Sequence, residues 1–555
     1  MQSDALAVGD LLLMLFKNNG LNQRTMGKPK HIKQRTPNAY DRFCERLSAF
    51  YAAHRRAVDM TVVGVIFVAF FCIRAVNIDL RKQLHSDEIF SVSISTCNDY
   101  YTSPLPDGDY SGEQLKQLLV ADDRGGVEGA AADIAQLWVN NGDAPHASLY
   151  YMFLRPFLIG FDTFDVHSLA WRGGALNLLF FSLSFFMMLR LLRRIYPKRS
   201  LLVFVGLVMA FGNWMSIRNT LLIREYQMAE TAIIAVMLIG VDLIIRLREG
   251  EAVAVRRLVV GLALTIAAAI SLGYFNAIFI VGFGVVVMCA CAKYRRRDLI
   301  KWLLVSAVGS VVVALILYPG FFNFLLHDSV HKQRAFSSVR NIVGNVMVRD
   351  LLLKFFTVPG ALIVAGAFVA ALIGNRRREL FKSGNFAWIS VLAVACMFVI
   401  QYASLLKMPR YYFPLTPALA LLVPHVIGCV GKQATGFFEL LIILYFPALT
   451  MLYSARSNYN WQSLRNGLAQ STTFSQLNPN EVVQLLPGIT DTATYTIAGD
   501  GSFTLKRNEE TFVVSKRAIG ICNDSIMTYK RLMWGRHIFL YKFNYVSKTE
   551  ENENF

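Results

Sequence analysis

Four short segments carry residues of the kinds that move protons and hold phosphates. The first is Leu84-His85-Ser86-Asp87-Glu88-Ile89-Phe90, a few residues past an apolar block at 60–78. Carboxylates at a membrane surface are costly to desolvate unless they are used or paired. One placed there can act as a general base toward an incoming hydroxyl or amine. Adjacent residues do not share a helix face, so at most one of Asp87 and Glu88 points into any one site. A solvated pair at the start of the next helix is the plainer alternative.

The second segment is Asp143-Ala144-Pro145-His146-Ala147-Ser148-Leu149-Tyr150-Tyr151. Taken alone it reads as a helix start with interfacial tyrosines. The third, Ile223-Arg224-Glu225-Tyr226-Gln227-Met228-Ala229-Glu230, puts an arginine and two glutamates at the end of an apolar block. Polar residues at that depth point to function by default, with an internal Arg–Glu pair as the alternative. The fourth runs from Lys407 through Pro409, Arg410, Tyr411 and Pro414 to Pro417. Arg410 there is suited to bidentate contact with phosphate oxygens, or it is an arginine snorkelling to the interface. A loop at 319–352 adds His327, His331, Lys332, Arg334, Arg340 and Arg349. Such a loop asks for an anionic partner such as a lipid phosphate, or forms a solvated amphipathic helix.

Membrane helices must position these groups. The chain has 555 residues, 54% of them hydrophobic, and a mean hydropathy of +0.41. Its apolar residues come in blocks of roughly twenty, the length that crosses about 30 Å of hydrocarbon. Spans are expected at 59–78, 168–192, 200–217, 227–246, 257–273, 275–292, 299–318, 353–374, 385–406, 411–430 and 436–454. The architecture is therefore an all-α polytopic membrane protein of about eleven transmembrane helices. The stretch 147–160 is left out of that count: it is too short to span and carries Arg155 and Pro156.

The net charge of +18 is gathered in basic runs at 190–199, 246–257, 293–297 and 376–382, each just after an apolar block. That is the pattern of cytoplasmic connectors, and no nucleic-acid partner is read from it. The charge bias places a basic segment, 1–58, inside. An odd number of spans places the tail, 455–555, outside. The loops 79–167, 218–226, 319–352 and 407–410 fall outside with it. Alternating runs near 492–497, 503–506 and 537–543 make the tail a small α/β or β-rich domain. The eight cysteines show no metal-ligand spacing.

In this order and on one face, the segments resemble the GT-C superfamily of polyprenol-dependent glycosyltransferases, of the protein-mannosyltransferase and aminoarabinose-transferase type. The family's Asp-Glu pair in the first outer loop is matched by Asp87 and Glu88. Its His-Pro-Pro-Leu-Tyr-Tyr-like segment is matched by His146, Leu149, Tyr150 and Tyr151, with Ala147 and Ser148 in place of the prolines. Its Arg-x-Tyr is matched by Arg224 and Tyr226, and its Arg-Tyr-x-x-Pro by Arg410, Tyr411 and Pro414. Leu169-Ala170-Trp171-Arg172-Gly173 is similar to the family's Leu-x-x-Arg-x-x-Ser. The resemblance covers 59–454; the tail has no match.

The resemblance implies an inverting transfer of sugar from a polyprenyl phosphate in the bilayer to a glycolipid, envelope polymer or protein. Asp87 would be the general base, with Glu88 orienting the loop or the acceptor. Arg224, Arg410, His327 and His331 would hold the donor phosphate. His146, Tyr150, Tyr226 and Tyr411 would line the substrate site. No metal is assigned; a divalent cation between Asp87 and Glu225 is a secondary alternative, because hard cations take more oxygen ligands than are found here. The expected location is a bacterial plasma (inner) membrane with the site on the extracytoplasmic face, or alternatively the endoplasmic reticulum. A transporter or flippase of lipid-linked glycans and a non-catalytic assembly protein are the competing classes. A transporter should place its polar residues near mid-membrane and show repeat symmetry.

Overall fold

The computed structural model describes residues 39–81, 86–97, 108–111, 114, 123, 125–139, 141, 148–161, 166–322, 351–374, 376–381, 385–403, 409–430, 435–439, 441–445 and 448, with strand segments at 494–497, 503–507, 510–515, 527–534 and 539–545. The expectations for 1–38, His146, His327 and His331 lie outside the described residues.

The chain is mostly helical. A long first helix, α1 (Ala39–Asp79), is followed by α2 (Ser86–Ser95), strand β1 (Gly108–Ser111), α3 (Gly126–Val139) and α4 (Leu149–Leu154). Next come α5 (Val166–Ile195), α6 (Ser200–Phe211), α7 (Trp214–Leu221), α8 (Tyr226–Glu249), α9 (Val255–Ile270), α10 (Asn276–Lys293) and α11 (Arg297–Leu317). The series continues with α12 (Val358–Ile373), α13 (Trp388–Ala403), a 3-10 helix (Pro409–Leu415), α14 (Thr416–Ala420) and α15 (Leu422–Cys429).

Among the described residues, six segments are long and apolar enough to cross a bilayer: Ala53–Asp79, His167–Ile195, Tyr226–Glu249, Asn276–Lys293, Arg297–Leu317 and Pro409–Cys429. A seventh span arises if α6 and α7, bent by 56°, are taken as one. The protein is thus a multi-pass helical membrane protein. Of the eleven expected blocks, 59–78, 168–192, 227–246, 275–292, 299–318 and 411–430 overlap these six segments and 200–217 the bent pair, while 257–273, 353–374, 385–406 and 436–454 hold only shorter helices over the described residues. The block at 411–430 is broken into a 3-10 helix and two short α-helices, with Pro414 inside the first and Pro417 in the first turn of the second. The stretch 147–160 holds only the six-residue α4 and a four-residue 3-10 turn, Arg155–Leu158, too short to cross.

Opposite ends of the bundle differ in chemistry. Where α1 resumes after a break at His54, Arg55 donates to the Lys198 carbonyl at 3.0 Å and Ser200 to Asp59 at 2.6 Å. Arg199 reaches the Gly428 carbonyl at 3.3 Å, and Arg194 pairs with Asp242 at 3.0 Å. These are the basic connectors. Asp79, at the far end of α1, lies 24 residues past Arg55, about 36 Å away at about 1.5 Å per residue. There Trp171 donates to Asp79 at 3.1 Å. The acidic helix α2 and the α7–α8 turn gather at this second end.

Close approach at that end depends on a glycine. A Cβ on Gly173 of α5 would lie 2.6 Å from the Ile223 side chain. The turn carrying Ile223 and Arg224 therefore seats directly on α5.

Five described strands of the tail, β2 (Thr494–Ile497), β3 (Phe503–Arg507), β4 (Glu510–Ser515), β5 (Met527–Trp534) and β6 (Phe539–Tyr545), form an antiparallel sheet in the order β1-β2-β3-β4-β6-β5. The alternating runs near 492–497, 503–506 and 537–543 correspond to β2, β3 and β6. The sixth strand, β1, comes from the first loop and pairs Tyr110 with Tyr495. The long sequence separation hides that pairing from a local reading.

Candidate active site

The two adjacent carboxylates occupy the first turn of α2, where the helix N-terminus favours negative charge. Successive helix residues point in different directions, and here the two diverge in role. Glu88 is fully buried. It accepts from Arg81 and, at 2.8 Å, from the Ile223 backbone N–H. Arg81 also donates to the Leu221 carbonyl. Glu88 thus ties α2 to the turn between α7 and α8. Asp87 faces the other way and remains 23% exposed, paired with Arg410.

Arg224 sits on that α7–α8 turn, 5% exposed. It donates to the Asp87 carbonyl at 3.3 Å and the Ser91 hydroxyl at 3.4 Å, and pairs with Glu225 at 3.2 Å. Arg410 arrives from the 3-10 helix behind Pro409, a residue suited to a helix's first position. Its guanidinium stands 5.9 Å from the Tyr411 ring centre, and that ring lies 5.4 Å from the Phe275 ring. The Tyr226 hydroxyl and Arg410 Nε are buried with no hydrogen-bond partner among the described residues. Two arginines, the carboxylates of Asp87 and Glu225 and the Tyr226 phenol are therefore assembled from three separate segments.

Tyr150 stands behind this cluster. It is buried, its hydroxyl donating to Asn177 at 3.4 Å. Burial pushes its phenol well above the usual value, and the charges of Glu225 and Glu88 add to the shift. Among the expected site residues, the structure brings together Asp87, Glu88, Arg224, Tyr226, Arg410 and Tyr411, and sets Tyr150 against their support. Arg81 and Asn177 escaped the sequence reading. Arg81 carried a signal: a basic residue just past a span, on the face expected to lack them. Asn177 donates to the carbonyls of Thr220 at 3.1 Å and Leu222 at 2.6 Å, so it holds the Arg224 turn from α5.

Removing one partner of a buried ion pair strands the other charge, at a cost of about 3–5 kcal/mol. Glu88→Ala is accordingly expected to lower the thermal unfolding midpoint sharply. Glu88→Gln keeps an acceptor for the Ile223 N–H and should lose less. Equal midpoints for the alanine variant and the parent protein would contradict the anchoring role.

No protein-family model matches the sequence, and no curated protein matches it. Among solved structures, the chain is similar to the crystal structure of ArnT from Cupriavidus metallidurans bound to undecaprenyl phosphate. The identity is 13%, the TM-score 0.47, and the match covers 88% of this chain and 98% of that one. A likeness of that strength does not assign a family, and the functional reading rests on the residues themselves.

Proposed function

We propose that this multi-pass protein is an inverting membrane glycosyltransferase. It takes a sugar from a polyprenyl-phosphate donor and passes it to a glycolipid, envelope polymer or protein on the extracytoplasmic side. One observation carries the reading: a partly exposed carboxylate, Asp87, is held against Arg410, with Arg224 bonded from the α7–α8 turn to the backbone carbonyl of the same residue. This cluster lies at the end of the bundle opposite the basic connectors, which the positive-inside rule assigns to the cytoplasm.

The chemistry follows from those groups. Asp87 takes the proton from the acceptor hydroxyl or amine as its lone pair forms the bond to the anomeric carbon. The bond from that carbon to the phosphate oxygen breaks, and the phosphate leaves with the electron pair. Positive charge grows on the sugar and negative charge on the phosphate. Arg410 and Arg224 stabilise the latter, with His327 and His331 as further candidates. When a donor phosphate binds, Arg410 exchanges its carboxylate partner for the phosphate, which releases Asp87 to accept the proton. Glu88 acts through position, holding α2 to the Arg224 turn. His146, Tyr150, Tyr226 and Tyr411 complete the substrate side. The full topology of this reading has about eleven spans, and the β-rich tail, with β1 of the first loop in its sheet, forms a small outer-face domain.

The test is direct. Purified protein in lipid nanodiscs is given a panel of labelled polyprenyl-phosphate sugars with envelope extract as acceptor. Release of polyprenyl phosphate coupled to sugar incorporation supports the reading. Movement of intact lipid-linked sugar between leaflets, without bond cleavage, would replace it with a flippase.

A further inference from the structure

We infer that Arg74, buried inside the bundle, is a positioning residue that holds the bent pair α6–α7 in the shape that brings Arg224 to Asp87. The functional consequence rests on the transferase reading; the packing argument does not.

α6 and α7 meet at 56° around Gly212 and Asn213. A break of this kind frees backbone groups where water cannot serve them, so side chains must. Asn213 serves the nearest ones. Its amide donates to the Met209 carbonyl at 2.9 Å and the Ala210 carbonyl at 3.0 Å, and its oxygen accepts the Ser216 N–H at 2.9 Å. The carbonyl of Phe211, the last residue of α6, is reached from α1. Arg74 Nη2 donates to it at 3.0 Å and to the Ser216 hydroxyl at 3.1 Å. Arg74 Nε donates to the Thr220 hydroxyl at 2.9 Å. One guanidinium therefore grips the end of α6 and two hydroxyls one turn apart on α7. Its plane centre lies 3.9 Å from the Phe181 ring, and its exposure is 0%.

The connection continues toward the site. Thr220 donates to Gln227 at 2.7 Å, Gln227 donates to Glu230 at 3.1 Å, and Asn219 donates to Glu230 at 2.7 Å. Glu230 answers the Arg74 charge through this polar bridge. Four residues beyond Thr220 is Arg224. A buried arginine is expensive, and apolar residues would pack a straight span at less cost. The arginine fork can serve acceptors on two helices at once; a lysine point charge cannot.

The experiment combines amide hydrogen exchange with a double-mutant cycle. Arg74→Lys is expected to speed exchange in peptides covering 217–227 while leaving α10 unchanged. It is also expected to lower kcat about tenfold, equivalent to about 1.4 kcal/mol. In the Arg224→Lys background the added Arg74→Lys should cost little more, because the two act in series. Unchanged exchange in 217–227, or effects that multiply, would overturn the inference. Should Arg74→Lys fail to fold, Ser216→Ala deletes one acceptor, keeps the charge, and is read the same way. If the parent protein transfers no sugar, the transferase reading falls and the exchange result alone decides the positioning role.

Discussion

If the protein is the proposed transferase, Asp87→Asn is expected to lower the rate of sugar transfer by about 10²–10⁴-fold, the usual contribution of a positioned general base. The expectation is specific to catalysis because the substitution leaves the surroundings in place. Arg224 and Ser91 donate to the backbone carbonyl of residue 87, which the substitution keeps. The asparagine oxygen can still accept from Arg410. The buried pair of Glu88 with Arg81 is untouched. Unfolding midpoint and polyprenyl-phosphate binding should therefore stay near those of the parent protein while kcat collapses. Asp87→Glu keeps the carboxylate but moves it by one methylene, and is expected to recover part of the rate. Full-rate transfer by the asparagine variant in purified, lipid-supplemented protein would remove Asp87 from the base role, even if the protein proves to be a transferase.

On the same proposal, Arg410→Ala is expected to give the second large effect, with kcat falling by about 10²–10³-fold, as when one donor to a developing anion is lost. In the proposed reaction, charge builds on the phosphate as its oxygen's bond to the anomeric carbon breaks. An arginine that matters most at that stage lowers kcat more than it raises the donor KM. Arg410→Lys should recover only part of the rate, since an ammonium offers a point charge in place of two parallel N–H groups. The alanine variant also unpairs Asp87, so it needs comparison with Asp87→Asn/Arg410→Ala. If the double variant is no slower than either single, the two residues act as one unit. A variant that changes only KM would reduce Arg410 to a ground-state contact.

Much of the site was legible because its residues break local rules. Asp87 and Glu88 beside an apolar block, and Arg224 and Glu225 at the end of another, stand out against hydrocarbon, where charge is costly. Hydropathy could not say which carboxylate faces solvent. That depends on how α2 is rotated against the Ile223 turn, and the rotation is set by Arg81, an arginine seven positions before Glu88 in the chain. Arg74 and Asn177 were invisible as site supports because a single polar residue in an apolar block looks the same whether it faces lipid, core or pore.

The sequence by itself determined that this chain lives in a membrane, which end of its helices is basic, and which four segments carry charge at the other end. Block length and charge bias depend only on the local chain, so they can be read without a fold. Only the tertiary structure decided that the span at 200–221 is bent, that β1 joins the sheet of the tail, and that Asp87 faces Arg410 while Glu88 turns inward. Those outcomes rest on contacts between residues far apart in the chain. They follow from the need of each buried polar group for a partner, and no local pattern specifies which partner it finds.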